Sequence, residues 1–204
     1  MPRRFVRLAA ALLAASLAVA APGGAQAVTK DAPTGAAVAR AASPTLVLLV
    51  RHAEKAAEPA DDPPLTDLGS TRARALQAAL ADAGVQAVIA TPRRRTSDTA
   101  KPLADALGLV PEIVPLSGDH VKAVADAVRR HAGQVILVVG HSNTIPAIIG
   151  ALGGPRLKDL CDAEHSNLFV LTLPAEGTPR LVRGQYGPAD PAGASSCAPA
   201  GAMR

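Results

Sequence analysis

"TLVLLVRHAEKA", residues 45–56, runs six residues suited to a buried strand directly into Arg51 and His52. Burying groups that form cations is costly unless they are paired, so a strand that ends this way needs a reason to hold charge at its tip. The same device recurs in "VILVVGHSNT", residues 135–144, where a second apolar strand delivers His141. Between and around these two runs, strand-like and helix-like stretches alternate: "LTDLGSTRARALQAALADAG", "AVIA", "RRTSDTAKPLADALG", "IVPL" and "DHVKAVADAVRRHAG". That order predicts an α/β fold, a three-layer sandwich with a mostly parallel central sheet and helices on both faces. In such sheets ligands bind beyond the carboxyl ends of the strands, which is where both histidines fall.

Within this frame Thr66 or Asp67 caps the first helix and Gly84 ends it. Val121, Val124, Ala125 and Val128 form one helical stripe, with Gly133 following at a C-cap position. Pro102 predicts a kink or a late start in the helix after "TPRRR". "NLFVLTL" and "PRLVRGQYG", separated by "PAEGT", read as an edge hairpin.

Composition sets the limits. The chain has 204 residues, 49% hydrophobic and 19% charged, as expected of a single globular domain. With 1% aromatic residues, its core must be built from Ala, Val, Leu and Ile. Arg3, Arg4 and Arg7 precede an apolar run and the small residues Ala25 and Ala27, which predicts a secretory signal over 1–27 and an extracytoplasmic location. The apolar run is shorter than the roughly 20 residues a membrane span needs, so no stable membrane association is expected after cleavage. Removing three arginines and no acids takes the formal charge from +4 to +1. The basic balance is therefore no argument for nucleic acid, and no aromatic-studded basic stripe is present. Residues 28–44 read as a linker, 45–187 as the domain and 188–204 as a loop-like tail. Cys161 and Cys197 both lie in the exported part, where a disulfide fastening the tail is the expectation; no CxxC or HExxH spacing suggests a metal, and no cofactor is expected.

The third cationic element, "AVIATPRRRTSDTA" at 87–100, is another short strand entering a helix start. Backbone N–H groups, the helix dipole and an arginine fork there favour phosphate or carboxylate, while one or two of the three arginines suit a solvated face.

These residues resemble the histidine phosphatase superfamily, the phosphoglycerate-mutase-like group, in its branch 1 short phosphatase form. "VRHAEK" is similar to its arginine-histidine signature, with Ala where Gly is more usual. "ATPRRRTSDTA" resembles the stretch with an essential arginine before a Thr-Ala pair, which selects Arg95; "VVGHSN" resembles the second histidine motif, and "DPPLTDLGSTRARAL" the segment after the nucleophile. The resemblance covers Leu46 to Leu173 and implies a metal-independent phosphatase, with His52 as nucleophile and Arg51, Arg95 and His141 holding phosphate oxygens. Ser142 and Asn143, next to His141, are further phosphate-binding candidates, or caps of the following helix. A neutral imidazole attacks phosphorus through Nε2 while Nδ1–H donates to a backbone carbonyl, and neighbouring arginines disfavour imidazolium. The family draws its proton donor from a loop before the second histidine strand. Asp119 is the counterpart here, with Glu54 and Glu164 as further candidates, each also readable as a surface carboxylate. His131 suits a helix C-terminus, His120 reads as a cap, and His165 as a loop residue. The expected ligand is a small phosphorylated substrate or inorganic phosphate. A catalytically weak or inactive anion-binding module on the same fold is the alternative, favoured by the poor match at the acid position.

Overall fold

The computed structural model describes residues 43–197; the signal segment, most of the linker and the end of the tail lie outside them. Ten elements follow one another: β1 (Thr45–Arg51), α1 (Asp67–Leu80), β2 (Ala87–Ala90), α2 (Arg94–Leu107), β3 (Glu112–Ile113), α3 (His120–Arg130), β4 (Val135–Gly140), α4 (Thr144–Ala151), β5 (Asn167–Leu173) and β6 (Arg180–Gln185). The sheet order is β3-β2-β4-β1-β5-β6. β1, β2, β3 and β4 are parallel, and β5 and β6 close one edge as the expected antiparallel hairpin.

The unbroken apolar run of β1 reflects burial on both faces. Val47 and Leu49 point into one layer, against Val124, Ala125 and Val128 of α3 and Ile145, Ile148 and Ile149 of α4. Leu48 and Val50 point into the other, against Leu76 and Leu80 of α1 and Ala100 and Leu103 of α2. Alternate side chains of one strand thus fill two cores and set the α/β/α sandwich. Phe169 and Tyr186 add one aromatic ring to each core.

Three local features position the strand ends. Thr66 caps α1, its Oγ1 accepting from Gly69 N at 3.0 Å, and Gly69 brings the helix so close that a Cβ there would lie 2.2 Å from the Glu54 carbonyl oxygen. Thr99 of α2 accepts from Ala53 N at 2.9 Å and donates to Arg95 O at 2.7 Å, pinning the residue after His52 to the helix. Register pairs Arg51 with Gly140, so His52 and His141 leave their strands side by side.

One expectation changes: Pro102 neither delays nor breaks α2, which runs continuously to a left-handed Gly108. Residues 188–197 hold no helix or strand, as a loop-like tail would, and they are tied down: Pro188 O accepts from Arg72, Asp190 accepts from His165 N, Ser166 N and Ser166 Oγ, and Cys197 is disulfide-bonded to Cys161. No helix among the described residues is long and apolar enough to cross a membrane.

Candidate active site

His52 and His141 meet edge to face, ring centroids 5.4 Å apart, at the carboxyl ends of β1 and β4. Backbone bonding holds each in place: His52 N donates to Gly140 O at 2.9 Å, and His141 N to Thr144 Oγ1 at 2.9 Å. Gly140 makes this turn possible, since a Cβ would meet Ile145 Cδ1 at 2.8 Å.

The tautomer of His52 follows from its partner. Nδ1 lies 2.8 Å from the Ala53 carbonyl oxygen, which can only accept, so Nδ1 carries the proton and Nε2 keeps its lone pair. Burial pushes the His52 pKa down to about 3; the Ala53 hydrogen bond opposes this, and the charges of Arg51, His141 and Arg95 add to it. His141 is depressed to about 4, by burial first and then by Arg95 and His120. Desolvation thus outweighs the arginines, which the sequence alone suggested as the cause.

Arg51 is buried, and its Nη1 donates to three carbonyls of one loop: Cys161 at 2.8 Å, Asp162 at 3.0 Å and Glu164 at 3.2 Å. Its Nε has no partner, and its Nη2 lies 3.7 Å from the exposed Asp162 carboxylate. Arg95 approaches from the first turn of α2, Nη2 lying 3.5 Å from His141 Nδ1, with Nε again buried and unpartnered. His141 Nε2 sits 3.2 Å from Thr91 Oγ1, at the end of β2. Buried donors without acceptors are rare in native structures. Two of them on converging guanidiniums mark a site that suits an oxyanion.

Not every cation joins it. Arg94 is exposed, and Arg93 Nη1 donates to Asp61 O at 3.2 Å. The backbone N–H of Arg94, expected to face an anion at the start of α2, donates to the Asp62 carboxylate at 3.0 Å. Ser142 is half-buried, its carbonyl accepting from Leu160 N, and Asn143 is exposed; neither side chain caps α4.

The three nominated acids are placed elsewhere. Glu54 is held by Arg72, whose Nη2 lies 2.7 Å from Oε1 and whose Nε is 3.0 Å from both carboxylate oxygens. Burial raises the Glu54 pKa, but the Arg72 bonds and charge outweigh it and keep it below the ordinary carboxylate value. Glu164 is buried and bonded to Arg183 at 2.8 Å and to Cys161 N at 2.8 Å. Asp119 is exposed at the start of α3.

Two histidines that read as bland in the sequence lie close to the site. His165 is buried, its Nδ1–H donating to His52 O at 3.0 Å, its ring centroid 6.0 Å from that of His52. His120 is buried with Nδ1 bound to Pro115 O at 2.9 Å and Nε2 unpartnered, and its charge acts on His141. The signal for His120 in the sequence was its place beside Asp119 at a helix start. Nothing in "AEHSN" marks His165, because its neighbour is 113 residues away.

Comparison with known proteins bears on the fold and on residues 47–116. Residues 47–116 match the family described as histidine phosphatase superfamily (branch 1), a segment holding the first motif and Arg95 but ending before His141. No curated protein matches the chain. Among solved structures, the protein histidine phosphatase SixA complexed with tungstate is 22% identical, covering 69% of this chain and 96% of its own, with TM-score 0.56. A mycobacterial glucosyl-3-phosphoglycerate phosphatase is 16% identical, covering 71% and 99%, with TM-score 0.54. Bacillus stearothermophilus YhfR is 18% identical, covering 68% and 95%, with TM-score 0.53. At these identities the likeness is one of fold. The family match itself is confined to residues 47–116, and over the rest of the domain the likeness is to the fold of these phosphatases.

Proposed function

We propose that this protein is an exported, metal-independent phosphatase that hydrolyses a phosphomonoester or phosphoamide through a phosphohistidine on His52. The observation that carries the reading is the state of His52: Nδ1–H committed to Ala53 O, pKa near 3, and a free Nε2 lone pair beside Arg51, Arg95 and His141. The likeness to a phosphatase solved with tungstate, itself a tetrahedral oxyanion, supports an oxyanion at this place.

In the first step Nε2 attacks phosphorus and the bond to the leaving oxygen or nitrogen breaks, its electron pair going to that atom, which takes up a proton. Arg51, Arg95 and His141 hold the non-bridging oxygens, with Ser142 and Asn143 at the start of α4 close by in sequence. Water then attacks phosphorus, the N–P bond breaks, and phosphate leaves with His52 neutral again. Each oxygen-holding donor is worth about 2.7 to 4 kcal/mol of barrier, a hundred- to thousandfold in rate.

With Glu54 and Glu164 tied into ion pairs and Asp119 exposed, carboxylic-acid help to the leaving group is weak. That suits leaving groups needing little help, a phosphoramidate or an acidic phenol.

The test uses the mature chain from residue 28, an activated aryl phosphate and chelator. Wild type turns over and acid quench traps phosphate on His52, while His52→Ala is inactive. Turnover surviving the substitution removes His52 as nucleophile. Phosphate binding without turnover on esters or phosphoamides turns the reading into the anion-binding module.

A further inference from the structure

We infer that the Cys161–Cys197 disulfide, together with Glu164, positions Arg51, so that reduction of this bond weakens phosphate binding. The inference rests on the reading of Arg51 as an oxyanion clamp.

The three hydrogen bonds that orient the Arg51 guanidinium all go to carbonyls of the 161–164 loop, so the loop's conformation sets the direction of Nε and Nη2. Four restraints, two of them within the loop, fix its shape. Leu160 N donates to Ser142 O at 3.0 Å, and Glu164 N to Cys161 O at 2.9 Å. Glu164 Oε2 accepts from Cys161 N, while Oε1 is held by Arg183. The fourth restraint is the disulfide itself.

On its far side the covalent bond has little competition. Within residues 191–197 the backbone bonds are local, Ala194 N to Pro191 O and Ser196 N to Gly193 O. Among the described residues, the hydrogen bond joining that stretch to the loop is Cys197 N to Cys161 Sγ at 3.1 Å. A cavity of about 290 Å³ separates Cys161, Asp162 and Ala163 from Pro191, Ala192 and Gly193. The stretch is therefore fastened by sulfur more than by packing. Cys161 is buried but Cys197 is exposed, so a small dithiol can attack the Cys197 sulfur. Two thiols leave on the protein as the reagent becomes a disulfide, which balances the exchange.

Freed from Cys197, Cys161 and its carbonyl shift, and with them the anchor of Arg51. Small displacements of a positioning group cost up to about a hundredfold. The expected result is a Kd for inorganic phosphate at least about tenfold higher in the reduced protein and in Cys197→Ser, with KM for the aryl phosphate rising in parallel and reoxidation restoring both. Glu164→Gln, which keeps the shape but loses the charge facing Arg183, weakens phosphate in the same direction. In an Arg51→Ala background reduction makes no further difference, because the clamp it acts through is gone. All measurements are made below the melting transition of each form. A reduced protein that melts earlier but binds phosphate as tightly as the oxidised one overturns the inference and leaves the disulfide as a staple. An oxidised wild type that binds no phosphate overturns instead the clamp reading on which it rests.

Discussion

A histidine that attacks phosphorus must keep its Nε2 lone pair through the working pH range, and His52 does so mainly because it is buried. The arginines matter less for its protonation, and their place in the proposed mechanism is to hold charge on the substrate. The two roles separate experimentally. In long-range imidazole ¹⁵N spectra His52 and His141 stay neutral from pH 8 to pH 5, since their pKa values are depressed to about 3 and about 4. Arg51→Ala leaves His52 neutral over that range yet lowers turnover by about a hundred- to thousandfold. Titration of His52 near 6.5 would remove the premise of the mechanism. His120 is the other residue to probe. Its Nε2 is buried and unpartnered at the start of α3, next to Asp119, where an acid was sought. If it serves the leaving group, His120→Asn slows an alkyl phosphate more than a nitrophenyl phosphate, and equal slowing of the two marks it as a support for His141.

At the scale of elements, the site is set by how closely helices approach strand ends. The contact of α1 with the segment after β1 is the tightest case, because Gly69 faces backbone rather than a side chain that can turn away. Gly69→Ala is expected to cost about 1–3 kcal/mol in urea denaturation, the usual range for overpacking, and to lower activity by moving Glu54, two residues from His52. Gly118→Ala, where a Cβ meets nothing within 4 Å and φ is not positive, is the control with little effect. A stability loss no greater at Gly69 than at Gly118 would show that α1 slides at no cost. Arg72, 1% exposed, joins the same region to the chain end, bonding Glu54, Tyr186 O and Pro188 O and pairing with Asp190.

For the whole molecule, the buried histidines couple the site to acid stability. The pKa values of His52, His141 and His165 are lower in the fold than the ordinary 6.5, burial being the largest cause in each. Below pH 6.5 the unfolded chain therefore binds more protons than the folded one, and stability falls as pH falls toward the folded values. Above 6.5 both states hold these rings neutral and the effect vanishes. Glu54 and Asp190, depressed by their partners, add their loss only below about 4.5. The melting temperature is expected to drop between pH 7 and pH 5, and to drop less in His52→Gln. An unchanged slope in that variant would place the proton uptake elsewhere.

The layered fold, the edge hairpin and the strand-end positions of Arg51, His52 and His141 were legible in the sequence. Each depends on local hydrophobic patterning, and a continuous apolar run of strand length has few other ways to be buried. Arg95 was separable from Arg93 and Arg94 only through family resemblance, since three adjacent arginines look alike until a helix turns one of them toward His141. Glu54, Glu164, His120 and His165 show where such reading stops. Their roles are fixed by partners on other elements, Arg72 of α1 for Glu54, Arg183 of β6 for Glu164 and the His52 carbonyl, 113 residues away, for His165, and a one-dimensional pattern carries no distance between them. The sequence by itself determined the sheet and the cations at its edge, because periodicity and charge are local. Only the tertiary structure decided which carboxylates are spent in ion pairs, which imidazoles join the site and that a disulfide loop holds Arg51, because those follow from packing between separate elements, 18 residues apart for Glu54 and Arg72, 19 for Glu164 and Arg183 and 110 for Arg51 and Cys161.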